Sequence, residues 1–237
     1  MKTIAVFQHV EAEYLGLMED HLEARNIRFR YFRPFTAGGK LPAPEAVGEF
    51  DGLIVLGQGP LGIVSGPLVP SLGPELRLIK AFLNHGLPVI GVGHGAIMLA
   101  VAAGGGAEEA PLRIETGVAL RENPDALGGA MPERFPYASY LRDRAVLPKD
   151  AEVLARNEAG EPIVFSIEHD GINAIGFISH PGIKSAMVED IVMEFIESPD
   201  DVAEKLEVLR GSQGEIAEAL TSIMVGLIDR TGWMATA

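Results

Sequence analysis

Residues 88–99 read PVIGVGHGAIML, and this stretch decides the fold. An apolar run is followed by Gly93-His94-Gly95 and then by a second apolar run. A buried strand, a tight turn and an apolar helix in immediate succession are the layout of a nucleophile elbow. The tip of an elbow has a strained backbone, which glycine adopts without penalty. The stretch therefore predicts an elbow that carries no nucleophile.

The chain before this elbow alternates between strand and helix patterns. Apolar runs at residues 3–7 and 52–56 and the alternation of apolar residues with arginines at 27–31 predict three strands, and the apolar spacing at 12–24 and 74–84 predicts two helices. Such alternation predicts an α/β domain with an open, mostly parallel sheet that helices cover on both faces. Because ligands bind beyond the carboxyl ends of such strands, we expect any site at that edge of the sheet.

The chain after the elbow carries fewer helical signals. Residues 104–150 are rich in Gly, Pro and Arg, with a predicted strand at 115–121. Residues 162–167 and 172–178 are predicted to pair as a hairpin, because the Asp-Gly pair between them favours a tight turn.

The elbow resembles that of class I glutamine amidotransferases of the triad type, whose fold is flavodoxin-like. In that family the elbow reads Gly-Val/Ile-Cys-x-Gly-x-Gln, so the resemblance places Gly93 at the nucleophilic cysteine. Residues 176–182 resemble a second family motif, Gly-x-Gln-x-His-Pro-Glu. The match implies that His180 stands at the general base and Gly182 at the acid that orients it. The resemblance extends over about residues 1–198.

The resemblance implies that glutaminase activity has been lost. Glutamine hydrolysis in this family passes through a thioester and needs an activated thiolate, and the chain contains no cysteine. Ile97 also replaces the glutamine that helps to hold the substrate. An engineered cysteine-to-glycine change is the alternative origin of Gly93, but it would leave Ile97 and Gly182 unexplained. Ser65 and Ser179 are interpreted as ordinary loop residues.

A glycine-rich segment after the third predicted strand suggests a second part of the site. Gly57-Gln58-Gly59, which precedes a proline, resembles the family's Gly-Gly-Pro loop. The resemblance implies that its backbone N–H groups form an oxyanion hole together with that of His94. Since backbone donors need no particular side chain, we expect a pocket for a small amide or amino-acid-like ligand to outlast the nucleophile. The alternative is a Gly-Pro turn that only ends the strand.

The elbow is also similar to that of PfpI-type proteins, which carry Cys-His-Gly where this chain has Gly93-His94-Gly95. That branch has an acid after the first strand, for which Glu11 and Glu13 are the candidates. The missing cysteine disables this chemistry equally.

The histidines allow a metal-site hypothesis, in which His94 and His180 combine with His9 or Glu11. Histidines from separate loops are a weak signal for a metal. We therefore expect no metal and no cofactor. The alternative roles are a hydrogen-bonded turn for His94 and a loop cap for His180.

Composition limits the partners of this chain. The formal charge of −14 and a pI near 4.8 disfavour nucleic acid and anionic membranes, which attract a basic face. No apolar run approaches membrane-spanning length, and the N-terminus is interpreted as a first strand rather than a signal peptide. We expect a cytoplasmic protein.

Residues 199–237 are predicted to form a helical extension to the domain at 1–198. Gly211 is a helix stop, and a capping box begins a second helix at Ser212. An apolar stripe on this second helix must be buried: it comprises Ile216, Leu220, Ile223, Met224, Leu227 and Ile228. The stripe packs either on the same domain or on a partner, and we expect a homo-oligomer through these helices.

Two functions follow from these patterns. The first is an inactive amidotransferase-like protein that binds a ligand or serves as the subunit of a partner enzyme. The alternative is an enzyme of the amidotransferase or hydrolase type that uses His180 or His94 as a base and water as the nucleophile.

Overall fold

The computed structural model describes residues 1–169 and 172–234 as a three-layer arrangement of helices and strands. The strands are β1 (Thr3–Phe7), β2 (Arg28–Phe32), β3 (Gly52–Val55), β4 (Val89–Val92), β5 (Gly106–Glu108), β6 (Arg113–Arg121), β7 (Arg134–Leu141), β8 (Arg144–Val146), β9 (Glu152–Asn157), β10 (Pro162–His169) and β11 (Ile172–Phe177). The helices are α1 (Met18–Glu23), α2 (Leu72–Asn84), α3 (His94–Ala102), α4 (Ser185–Glu194) and α5 (Val202–Arg230).

The half of the large sheet that holds the elbow is parallel. The strand order is β2-β1-β3-β4-β11-β10-β9-β6-β7, and the first five strands pair in parallel. The remaining pairs are antiparallel, and β5 pairs with β8 in a separate small sheet. The predicted hairpin of β10 and β11 is confirmed, while its turn at Asp170-Gly171 lies outside the described residues.

Helices cover both faces of the parallel half, as the strand pattern predicts. Successive side chains of a strand point to opposite faces. Ile4 and Val6 accordingly pack with α1 and α5, whereas Ala5 and Phe7 pack with α2 and α3. This α/β architecture of flavodoxin-like type places the carboxyl ends of β1, β3 and β4 side by side.

The first helix is shorter than the sequence predicts, because α1 begins at Met18 rather than at residue 12. Residues 9–17, here called the covering segment, instead cross the carboxyl edge of the sheet. Tertiary hydrogen bonds hold this path: Leu17 N donates to Gly182 O at 2.9 Å, and Leu15 N donates to the Tyr31 hydroxyl at 3.0 Å. These bonds replace the intrahelical ones that the apolar spacing favours.

The C-terminal region is one continuous helix, so the prediction of two helices that separate at Gly211 is wrong. Leu206, Leu209, Ile216 and Leu220 lie on one buried face of α5, on both sides of the expected break. Burial of this face outweighs the helix penalty of about 1 kcal/mol for each glycine. In the described part of the chain, no helix has both the length and the apolarity to cross a membrane.

Candidate functional site

The predicted elbow lies between β4 and α3. Gly93 has φ 58° and ψ −124°, the positive-φ conformation that disfavours residues with a side chain. Its N–H donates to Phe177 O at 2.8 Å, which ties the tip to β11. A Cβ added to Gly93 would meet Gly57 Cα at 3.6 Å, an ordinary contact. The elbow therefore has space for a small side chain that the sequence does not supply.

The glycine-rich loop lies against the elbow and is buried from Gly57 to Pro60. Its expected anion-binding donor is already used, because the backbone N–H of Gly59 donates to a carboxylate oxygen of Glu13 in a short hydrogen bond. The same carboxyl group lies over Gly57, where an added Cβ would be 2.6 Å from Glu13 Cδ. The Glu13 carboxyl group thus occupies the glycine-rich loop.

Glu13 belongs to the covering segment and is 6% exposed. Burial raises the pKa of this carboxyl to about 7, against the opposing effects of the Gly59 N–H and of His9. The structure thus brings Glu13 to the elbow and leaves Glu11, the other acid that the sequence suggests, exposed.

A buried ion pair supports this corner of the site. His9 Nδ1–H donates to Gly57 O at 2.9 Å, and His9 Nε2 lies 2.5 Å from Glu75 Oε2. Burial lowers the pKa of His9, but the charge and hydrogen bond of Glu75, together with the Gly57 carbonyl, outweigh it and hold the pKa above its usual value. Both ring nitrogens face acceptors, so His9 is an imidazolium that holds the glycine-rich loop at Gly57.

His180 is held by backbone groups on both ring nitrogens. Its Nε2–H donates to Tyr14 O at 2.7 Å, and its Nδ1 accepts from Gly182 N at 3.1 Å. Burial lowers the pKa of His180 to about 4. A neutral imidazole with both nitrogens engaged cannot take a proton from a nucleophile without the loss of one bond.

Gly182 leaves no room for the acid of a triad. A Cβ at this position would lie 2.9 Å from Leu15 O, Met18 N and Met18 Cγ. The covering segment and the start of α1 therefore occupy the space into which a glutamate would extend. In this structure the glycine permits the close approach of two backbones.

His94, the first residue of α3, is fully buried. Its Nε2 accepts from Arg142 N at 3.2 Å, so the remaining proton of the neutral ring is on Nδ1. Burial lowers the pKa of His94 to about 3, although Asp143 acts in the opposite direction. His94 thus packs as a neutral, hydrogen-bonded residue of the elbow.

Arg142 and Asp143, which the sequence analysis missed, clamp the loop beyond the glycines. Arg142 Nε donates to Pro60 O at 2.5 Å, and Asp143 Oδ2 accepts from the N–H groups of Ile63 and Val64 at 2.7 and 2.9 Å. Burial raises the pKa of Asp143, but these N–H groups and the Ser65 hydroxyl outweigh it and hold the pKa below its usual value.

Three other residues that the sequence singled out are buried and pack or bond within the chain. Ile97 is buried in the apolar core, Gln58 Nε2 donates to Leu61 O at 2.9 Å, and Ser179 is buried beside the elbow. No group of three or more His, Cys, Asp or Glu residues within 1–169 and 172–234 is arranged to hold a metal. His9 and Glu75 form an ion pair instead.

One sequence signal for Glu75 was available. It precedes Leu78, Ile79 and Phe82 by three, four and seven positions, so it lies on the buried face of α2. A carboxylate on an apolar stripe indicates a buried partner. The role of the Tyr14 carbonyl has no such signal, because a backbone group is present at every residue.

The residues described around Gly93 are therefore buried, and most of their polar atoms form hydrogen bonds within the chain. The Gly59 N–H, the His180 ring and the His9 ring all have partners within the protein. The arrangement thus holds the Glu13 carboxyl group beside the elbow and leaves no hydrogen-bonding nitrogen of the His9 or His180 ring without a partner.

Comparison with solved structures identifies proteins of the same fold. A glutamine amidotransferase from Thermotoga maritima aligns with a TM-score of 0.77 at 21% identity, over 97% of this chain and 98% of its own. A glutamine amidotransferase from Methylobacillus flagellatus aligns with a TM-score of 0.80 at 21% identity, over 98% of this chain and 96% of its own. The alignment reaches well into α5, beyond the sequence resemblance at 1–198. No protein-family model and no curated protein matches the chain.

Proposed function

We propose that this chain is a class I glutamine amidotransferase-like protein that has lost glutaminase activity and acts as a ligand- or partner-binding subunit. The fold shared with two glutamine amidotransferases supports the ancestry, and so do the motifs at residues 88–99 and 176–182. Gly93 at the nucleophile position and Gly182 at the acid position support the loss of activity.

One observation carries this proposal: the covering segment occupies the groups that the reaction needs. The Glu13 carboxylate accepts the Gly59 N–H that would stabilise an oxyanion, and the Tyr14 carbonyl accepts the His180 Nε2–H. Loss of one oxyanion donor alone costs about 10²–10³ in kcat. The missing thiolate removes the covalent route as well.

The binding role has two proposed partners. A small amide or amino-acid-like ligand could reach the Gly59 N–H only by displacing Glu13. A protein partner or a second copy would use the exposed side of α5, because its apolar stripe already packs in the core of this chain. Val208 and Val225 are the large apolar side chains of α5 that remain exposed among the described residues.

The alternative is a hydrolase that uses His180 or His94 as a base. That reaction needs a histidine nitrogen that faces a water-filled cavity. Both rings are buried, and three of their four nitrogens have backbone partners. The inactive protein is therefore the better-supported function.

Ammonia release from glutamine tests the loss of activity. We expect the purified protein to release none above the buffer, while an active triad-type glutamine amidotransferase assayed in parallel does. Turnover by the wild type that disappears in His180→Ala would overturn the proposal; turnover that persists in His180→Ala would identify a contaminant. Native mass spectrometry of protein isolated from its own source tests the binding role, through the mass of a retained ligand or partner.

A further inference from the structure

A basic cleft lies at the carboxyl end of β2, apart from the elbow. Its volume is about 540 Å³, and Arg30, Arg33 and Lys40 line it together with one acid, Glu49. Leu41 and its apolar neighbours form another wall. Three cations gathered around one cleft are unexpected in a chain whose formal charge is −14.

Arg33 is oriented by a buried amide. Its Nε donates to Gln8 Oε1 at 2.7 Å, and Gln8 is 2% exposed. Gln8 Nε2 donates in turn to Val10 O at 3.0 Å and Glu11 O at 2.9 Å, so a flipped amide would set its oxygen against two carbonyls. The direction of the Gln8 acceptor is therefore fixed, and it fixes the Arg33 side chain.

An aromatic ring supports the same guanidinium. Arg33 Cζ lies 4.8 Å from the centroid of the Tyr31 ring, a cation–π distance. The Tyr31 hydroxyl accepts from Leu15 N at 3.0 Å and donates to Glu19 Oε1 at 2.5 Å, which holds the ring in place. Arg30 is similarly placed, with its Cζ 5.0 Å from the centroid of the Phe32 ring.

In the part of the chain that the structure describes, these cations have no anionic partner. Among residues 1–169 and 172–234, no carboxylate forms an ion pair with Arg30, Arg33 or Lys40. The Nη groups of Arg33 therefore remain available in a fixed direction, the fork geometry that binds phosphate or carboxylate in a bidentate manner. Ordering an arginine that gains no ion pair costs side-chain entropy, which a bound anion would offset.

We propose that this cleft binds the phosphate group of a small organic phosphate, with Arg33 as the principal ligand and Arg30 and Lys40 as supporting charges. The apolar wall would contact the organic part. The strongly negative charge of the whole protein repels long polyanions, so a small molecule fits better than nucleic acid or an acidic protein. This binding site would be present whether or not the elbow is catalytically active.

Isothermal titration calorimetry of the full chain with inorganic pyrophosphate at low ionic strength tests this site, with citrate as a carboxylate probe. We expect pyrophosphate to bind and Arg33→Gln to weaken it at least tenfold. Arg28→Gln is the matched control, because it removes the same charge from the other end of the same strand. Lys40→Gln, at an exposed loop position, should weaken binding less than Arg33→Gln does.

Three results would overturn the proposal: no binding of pyrophosphate to the wild type, an equal loss of affinity in Arg28→Gln and Arg33→Gln, or tighter binding of citrate than of pyrophosphate. The last result would assign the cleft to carboxylates. Circular dichroism confirms that each variant is folded before titration. Gln8→Leu, which removes the acceptor that orients Arg33, should weaken pyrophosphate binding while Arg33 is still present.

Discussion

The carboxyl group of Glu13 accepts a hydrogen bond from the backbone N–H of Gly59, so the chain itself provides the acceptor for the glycine-rich loop. The two residues are 46 positions apart in sequence and meet because the covering segment crosses the carboxyl edge of the sheet. A carboxyl group of the chain therefore occupies this backbone donor.

Glu13→Gln should change how stability depends on pH. Burial raises the pKa of Glu13 from 4.5 to about 7, so the folded protein keeps a proton that the unfolded chain releases. This carboxyl therefore makes the wild type less stable as pH rises from 4.5 to about 7. Relative to the wild type, Glu13→Gln should gain roughly 3 kcal/mol across that range.

Urea denaturation at pH 5 and pH 8 measures this difference. Comparison of the two proteins cancels the contributions of His94 and His180, whereas His9, whose pKa the Glu13 charge raises, contributes to the difference. Glu11→Gln, an exposed neighbour, is the control. An equal pH dependence in all three proteins would exclude a buried carboxyl at Glu13.

The buried histidines His9, His94 and His180 should show three distinct protonation states by ¹⁵N NMR of the imidazole rings. Burial lowers the pKa of His180 to about 4 and that of His94 to about 3, so both should be neutral at pH 6. The proton should lie on Nε2 of His180 and on Nδ1 of His94. Burial lowers the pKa of His9, but Glu75 outweighs it, so this ring should be doubly protonated at pH 6. Titration of His180 near 6.5 would contradict the burial of its ring, which lowers the pKa.

Gly93→Cys should fold and remain inactive. Its Cβ meets Gly57 Cα at an ordinary 3.6 Å, and the positive φ costs about 1–3 kcal/mol. Thermal melting measures this cost, and a glutaminase assay should detect no ammonia because His180 is bound to Tyr14 O. Ammonia release by this single variant would show that His180 can act as a base.

Gly182→Glu should destabilise the fold more than Gly93→Cys does. The new Cβ would lie 2.9 Å from Leu15 O and Met18 N, so the covering segment must move or the protein must unfold. We expect a lower melting temperature than for Gly93→Cys. A stable Gly182→Glu protein would mean that the segment is displaced with little cost.

The ion pair of His9 and Glu75 should show strong coupling. Glu75→Gln leaves a buried imidazolium without its counter-ion, and loss of one partner of a buried pair costs about 3–5 kcal/mol. The double variant His9→Gln/Glu75→Gln should cost less than the sum of the single variants. A double-mutant cycle of urea denaturation measures the coupling, and additive effects would rule it out.

Gly211→Ala should stabilise the protein by about 0.5–1 kcal/mol, because alanine favours a helix interior. Gly211 lies inside α5, and a Cβ there would contact nothing within 4 Å. Gly214→Ala should behave in the same way. Destabilisation by both changes would restore the prediction of two helices that separate here.

The sequence by itself determined the parallel sheet and the strand, turn and helix of the elbow. These features depend on local sequence. An apolar strand, a glycine turn and an apolar helix follow one another in residues 88–99, and strand and helix patterns alternate in the sequence before them. The hairpin of β10 and β11 was predictable for the same reason. The absence of cysteine needs no structure at all.

Only the tertiary structure decided what fills the site. The apolar spacing at 12–24 favours a helix, but hydrogen bonds to Gly182 O and the Tyr31 hydroxyl hold residues 9–17 over the elbow instead. Burial against the rest of the protein likewise keeps α5 continuous through Gly211. In both places, contacts between residues distant in sequence outweigh a local preference of about 1 kcal/mol per residue, and no local pattern records those contacts.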